Sequence, residues 1–244
     1  MLTPLVGLVI LVGVILVALG ERSSGKLSFI DWHAAIVVVG GVVGSVMMAL
    51  ERRALFRMLV SVRDLFPSTS MFPRQMALTK AGLEEMRTAW RDGRRGAVLQ
   101  MAESAKTKEL QVAADALLKR QSGAVLHERF TALRTEYMHN ELPVIEGWEM
   151  VGKLAPSFGM VGTVTGMVQL FKNMAEESGN LGGAMAMALL ATLYGITIGA
   201  AVGGPMASRV NSQLNDRLTM LDLLEKTVAA LVEEQNNHST ASEG

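Results

Sequence analysis

The chain contains no cysteine, which removes disulfides, thiolate metal sites and cysteine nucleophiles together. It has no net charge, 23 basic residues against 23 acidic. Without a basic surplus to meet phosphates, nucleic acid is excluded as a main partner. Signatures of a membrane enzyme are missing too. His33, His127, His139 and His238 are scattered, and neither HExxH nor Gly-x-Ser-x-Gly occurs. Neither a resident metal nor any other cofactor is expected. Charge of either sign is scarce, at 19% of residues, whereas half are hydrophobic and mean hydropathy is +0.30. A soluble domain of this size is more polar, so the composition points to a membrane.

Four apolar runs are long enough to span. Residues 2–20 are uncharged and rich in Leu, Val and Ile. They lack the basic n-region and small-residue cleavage site of a signal peptide, and are expected to be a retained span. Residues 34–50 form the second run, extended by Phe29, Ile30 and Trp32 as an interfacial anchor, and Leu154 to Phe171 the third. The fourth, Leu181 to Ser208, would reach ~42 Å as a helix against a hydrocarbon core of ~30 Å, so it should tilt or protrude. Arg52, Arg53, Arg57 and Arg63 follow the second run and Arg209 and Arg217 the fourth, while the loop from Lys172 to Asn180 is short and acidic. The positive-inside rule then puts the long middle segment and both termini in the cytoplasm.

The expected fold is therefore all-α. Spans 1 and 2 lie in residues 1–50, a helical cytoplasmic insertion in 51–146, and spans 3 and 4 in 147–208. An amphipathic cytoplasmic helix follows at 209–235 and a disordered tail at 236–244. Within the insertion, Phe66 to Pro73 reads as a breaker-rich linker. Helices are expected from Gln75 to Arg91 and from Gly96 to His139, with turns at Gly93 and Gly123. Pro143 should precede the helix that becomes the third span. Val210, Leu214, Leu218, Leu221, Leu224, Val228 and Leu231 recur at helical spacing, an apolar stripe that must pack on something, the insertion being the nearest partner.

The last two runs carry the densest pattern. Gly159, Gly162 and Gly166 on one and Ala191, Gly195, Gly199 and Gly203 on the other are helix-packing positions, because small residues let backbones approach in lipid. Thr163 lies nine residues before Lys172, ~13 Å below the outer boundary, and Thr192 eleven residues after Leu181, ~16 Å below it. The two hydroxyls thus share a depth, and each offers a donor and two acceptors to an ion or a carboxyl group. Alternatively each bonds back to the carbonyl one turn earlier. Neither run holds Asp, Glu, His, Lys or Arg, so a proton path through these two spans would need a titrating group from a partner. Pro156 and Pro205 interrupt the two runs toward their cytoplasmic ends, each freeing a carbonyl.

Leu154-Ala-Pro-Ser-Phe-Gly-Met-Val-Gly-Thr-Val-Thr-Gly-Met-Val168 resembles the third-span signature of the MotA/PomA flagellar stator family. Ala184-Met-Ala-Met-Ala-Leu-Leu-Ala-Thr-Leu-Tyr-Gly195 resembles its fourth, and Pro205 falls where that family has proline. The similarity covers residues 147–217; the rest matches in layout. The Gly162-Thr-Val-x-Gly166 core also resembles TolQ and ExbB, whose chains have three spans. The resemblance implies a bacterial inner-membrane protein, five copies around a dimer of a single-span partner of the MotB or PomB kind, or of the ExbD or TolR kind. The partner's Asp would face Thr163 and Thr192, ion flow past it would turn the pentamer, and Pro156, Pro205 and Tyr194 would couple the two. Lipid would surround the spans. An envelope-energising machine and, from composition alone, a passive membrane scaffold are the alternatives.

Threonine at position 163 resembles sodium-type stators, but proton-driven TolQ and ExbB share it, and Ala191 departs from the paired threonines of the sodium type. The balance favours protons, with sodium the alternative. Flagellar stators also present a basic residue and, eight positions later, an acidic one to a rotor protein. Arg91 fills the basic position, Leu99 stands at the acidic one, and Arg94 and Arg95 add positive charge. The resemblance makes these three arginines the expected rotor contact, the alternative being a solvated turn.

Overall fold

The computed structural model describes residues 31–63, 72–105, 107–175 and 181–241, with side chains as far as residue 235. The expected first span and the acidic outer loop from 176 lie outside these residues, as do positions 66–71 of the linker. Every described element is a helix: α1 (Trp32–Ala49), α2 (Arg52–Val62), α3 (Phe72–Arg91), α4 (Arg95–Glu103), α5 (Lys108–Leu118), α6 (Gly123–Ala175), α7 (Leu181–Ile198) and α8 (Gly204–Ala241). Three stretches, Trp32–Ala49, Gly123–Ala175 and Leu181–Gln235, are long and apolar enough to cross a membrane. The chain divides into two compact units, one of residues 1–69 and 141–211, the other of 70–140 and 212–244.

In the first unit α1 starts where the Asp31 carboxylate accepts from the backbone N–H groups of His33 (2.8 Å) and Ala34 (3.2 Å), capping the helix. A π-helical turn occupies Ile36–Gly40. Ala34 and Val38 pack on Met187 and Ala191 of α7, and Gly41 lies under the Phe158 ring of α6. A second π-helical turn, Gly199–Gly203, joins α7 to α8 directly before Pro205. A proline ring collides with the carbonyl four residues back and has no N–H to give it, and a π turn relieves both problems locally. Pro205 therefore does not end the helix.

The expected insertion began at residue 51, yet its first helix packs within the first unit. Helix α2 belongs to the first unit, because Met58 is buried over Gly147 and the Trp148 indole N–H donates to Ser61 Oγ at 2.9 Å. Pro143 does not precede a new helix either. It sits inside α6, where buried Val144, Ile145 and Trp148 hold the turn whose hydrogen bond it removes.

The second unit packs α3, α4, α5, the α6 segment up to Asn140 and the α8 segment from Ser212 around one apolar core. Met86, Leu117, Leu126 and Phe130 are fully buried against Leu221, Leu224 and Val228, so the apolar stripe after the fourth run does pack on the insertion. The helix expected from Gly96 to His139 is instead three. The Ser104 hydroxyl donates to the Gln100 carbonyl (2.6 Å) at the end of α4, and a second break falls before Gly123. Gly93 makes the α3–α4 turn with φ +73°, a conformation that favours glycine. Helix α8 runs on to Ala241, five residues beyond the expected start of a disordered tail at residue 236, since extending a formed helix costs far less than nucleating one.

Candidate functional site

The third and fourth runs meet in a seam where glycines let the backbones approach each other closely. A Cβ on Gly195 would lie 2.4 Å from the Ala155 carbonyl oxygen, and one on Gly203 2.4 Å from the Gly152 nitrogen. One on Gly199 would lie 2.8 Å from the Gly152 carbonyl oxygen, and one on Gly159 3.0 Å from that of Ala191. Toward the Lys172 end of α6 alanine methyls do the contacting: a Cβ on Gly162 would fall 2.3 Å from Ala191 Cβ, and one on Gly166 2.7 Å from Ala188 Cβ. All six expected helix-packing glycines are in this seam. Gly152, which the spacing did not single out, closes the end of the seam at Gly203.

Thr163 and Thr192 project into the seam from opposite sides and are directly hydrogen-bonded, hydroxyl to hydroxyl. Thr163 Oγ1 is also within bonding distance of the Gly159 carbonyl on its own helix (3.1 Å) and the Ala188 carbonyl across the seam (3.2 Å). Thr192 Oγ1 reaches the same Ala188 carbonyl at 3.4 Å. The expected bond one turn back exists, and a cross-helix network exists beside it. Two hydroxyls and two carbonyls offer four oxygens but only two hydrogens, so the cluster has acceptor capacity left for a protonated group or a cation. None of its members titrates in the physiological range.

Tyr194 lies on a different side of α7, where its phenol oxygen accepts from the Asp31 backbone N–H at 3.3 Å. This ties the start of α1 to α7, a link that sequence reading missed. The Pro156 ring faces Gly199 in the π turn, its Cδ 3.0 Å from where a Cβ would be. Beside them runs a groove of about 610 Å³, lined by Pro156, Gly199, Ala200 and the Glu149–Lys153 ion pair (3.0 Å). Pro156 and Gly199 therefore touch, while Pro205 follows at the far side of the π turn.

The three arginines belong to the other unit and are not equivalent. Arg91 pairs with Glu234 (3.5 Å) and Arg94 with Asp92 (2.8 Å), both exposed. The Arg95 guanidinium lies over Trp90, its central carbon 3.3 Å from the ring centroid. Burial, with Arg120 nearby, lowers its pKa. Arg95 is thus a packing residue rather than an exposed contact, because the shortness of α4's entry turn folds it back over α3.

A model of the MotA/TolQ/ExbB proton channel family matches residues 98–222, just over half of the chain. Motility protein A of Aquifex aeolicus is 36% identical over 38% of this chain and 33% of its own length. Chemotaxis protein PomA of Vibrio alginolyticus is 26% identical over 85% of this chain and 80% of its own. Among solved structures, MotAB from C. jejuni superposes with a TM-score of 0.79 over 95% of this chain and 89% of that one, at 19% identity. The Bacillus subtilis flagellar MotAB stator complex gives 0.72 over 94% and 89%, also at 19%.

Proposed function

The chain belongs to the MotA/TolQ/ExbB proton channel family, and from that premise we propose that it is the multi-span subunit of an ion-driven membrane motor of the flagellar stator kind. The observation that carries this reading is the Thr163–Thr192 hydroxyl pair, set at matched depth in a glycine seam that contains no titrating group. Such a cluster can receive a proton-carrying or ion-carrying group but cannot itself relay charge. The missing carboxylate comes from a single-span partner of the MotB kind, two copies within a pentamer of this chain. The transported ion is the proton. The chain crosses the inner membrane four times with both termini in the cytoplasm. Pro156 and Pro205, flanking the π turn, pass movement from the seam to the cytoplasmic helices, and Tyr194 holds α1 in step.

Replacing Thr163 and Thr192 together by Val keeps shape and removes both hydroxyls. Ion-driven rotation should fall steeply while the complex still co-purifies with its single-span partner. Undiminished rotation in that double variant would defeat the assignment.

A second reading rests on position 99. Leu99 is exposed where flagellar stators carry an acid, so half of the rotor-facing charge pattern is absent. That feature favours an envelope-energising machine, and reversal of the two exposed arginines separates the readings, as developed below.

A further inference from the structure

The hydroxyl pair stands at one end of a face that continues along both helices. Beyond Thr192 come Ile196, Ala200, Ala207 and Asn211, at intervals of four, four, seven and four. Back along α6 from Thr163 come Pro156, Glu149 and Ile145, at intervals of seven, seven and four. Residues so spaced share one side of a helix, and every one of these positions beyond the pair lines the groove of about 610 Å³. The groove therefore starts ~6 Å along the helix from Thr192 and runs ~22 Å further to Asn211. At ~30 Å³ per molecule its volume holds about twenty waters.

The lining changes character along its length. Near the pair it is Ile196, Pro156, Gly199 and Ala200, with no titrating side chain, so only water or the ion itself can carry charge there. Farther on, Ser208 and Asn211 are exposed on α8, and Glu149 pairs with Lys153 at 3.0 Å on α6. Glu149 is the single carboxylate among the lining residues, and it is half exposed, open to exchange with water. A proton arriving at the hydroxyl pair needs a base to receive it on the way out, and the groove offers this one. Resting on the motor-subunit reading, we propose that the groove is the exit half of the ion path and that Glu149 is its proton acceptor. The proton leaves the partner's carboxyl group, which becomes a carboxylate, and passes along water to Glu149. Its carboxylate becomes a carboxyl group and the pair with Lys153 opens. Release of the proton to water on the cytoplasmic side restores both the carboxylate and the pair.

The absence of cysteine makes the test direct. The full chain, in complex with its single-span partner in inside-out vesicles, carries either Ala200→Cys in the groove or Val43→Cys on the exposed face of α1. A charged methanethiosulfonate reagent should modify position 200 at least about tenfold faster than position 43, and the modification at 200 should block proton flux. Glu149→Gln should lower proton flux about tenfold with thiol reactivity at 200 unchanged, and Glu149→Asp should stay within about twofold of the parent. A thiol at 200 that reacts no faster than the one at 43 overturns the aqueous groove. Full flux in Glu149→Gln, or an equal loss in Glu149→Asp, overturns the acceptor role. No proton flux through the parent complex would instead refute the motor-subunit reading, which neither of the other outcomes touches.

Discussion

The seam makes a prediction that can be worked through in numbers. In Gly162→Ala the new Cβ would stand 2.3 Å from Ala191 Cβ, whereas two methyl carbons rest about 3.5–4.0 Å apart. The helices must part by about 1 Å or more, because each methyl is fixed to its backbone and has no rotamer to escape into. Overpacking of this kind costs about 1–3 kcal/mol, offset by the ~1 kcal/mol that alanine gains over glycine in a helix. Ala191→Gly alone removes a fully buried methyl and should cost ~1–2 kcal/mol through lost burial and propensity. Together the two changes move one methyl from one side of the seam to the other, so the clash disappears. The double variant should then be more stable than the sum of the singles by about 1–3 kcal/mol. Reversible unfolding in mild detergent measures the cycle. A second readout uses Thr163→Cys and Thr192→Cys in the cysteine-free chain: disulfide formation should be fast, slowed by Gly162→Ala and recovered by adding Ala191→Gly. Additivity within about 0.5 kcal/mol, with unchanged crosslinking, would refute the close contact.

Three further outcomes are expected. Arg95→Ala should destabilise the unit formed by residues 70–140 and 212–244 by ~1–2 kcal/mol through loss of the stacking on Trp90, whereas exposed Arg94→Ala should change it by under ~0.5 kcal/mol; urea unfolding distinguishes them. Hydrogen bonding from Lys119 and Arg129 lowers the Asp115 carboxyl. Arg134 and His127 likewise hold Glu225 below its usual value against a burial effect that raises it. Both groups therefore contribute stability that is present above the unfolded carboxylate range and lost as pH falls through the depressed folded values. Melting temperature should drop below about pH 4, less steeply in Asp115→Asn, and a gain on acidification would contradict the assignment. Reversing Arg91 and Arg94 to Glu should abolish swimming with ion flow and assembly intact if they meet a rotor; normal swimming would move the function to an envelope machine.

What the sequence made legible was periodic. Gly159, Thr163 and Gly166 recur at spacings of four and three, as do Ala188, Thr192 and Gly195, and residues so spaced share one face of a helix. Depth counted from Lys172 and Leu181 then placed the two hydroxyls level. Contacts between elements far apart in the chain left no such trace. The Asp31–Tyr194 link joins positions with no common period, and the packing of α2 on Gly147 and Trp148 depends on where the chain turns after Leu50. Proline misled at one position. Pro143 sits within α6, as Pro156 was expected to, because a long helix anchored by buried neighbours on both sides tolerates a lost hydrogen bond that a short one would not.

The glycine stripe and the hydroxyl pair are coupled by their geometry. Gly159 and Gly195 face each other one turn away from the Thr163–Thr192 bond, and a Cβ on either would meet the other helix's backbone at 3.0 Å or less. The distance between the two backbones there helps to set how the hydroxyls meet. The Ala188 carbonyl, reached by both hydroxyls, then adds a third oxygen without adding a hydrogen. A methyl anywhere along the inner seam would cost more than packing energy, because it would withdraw oxygens from one another and leave each to bond back along its own helix. The seam's glycines therefore help to set the acceptor geometry of the hydroxyl pair, so the proposed ion site should respond to substitutions at positions that would not touch an ion.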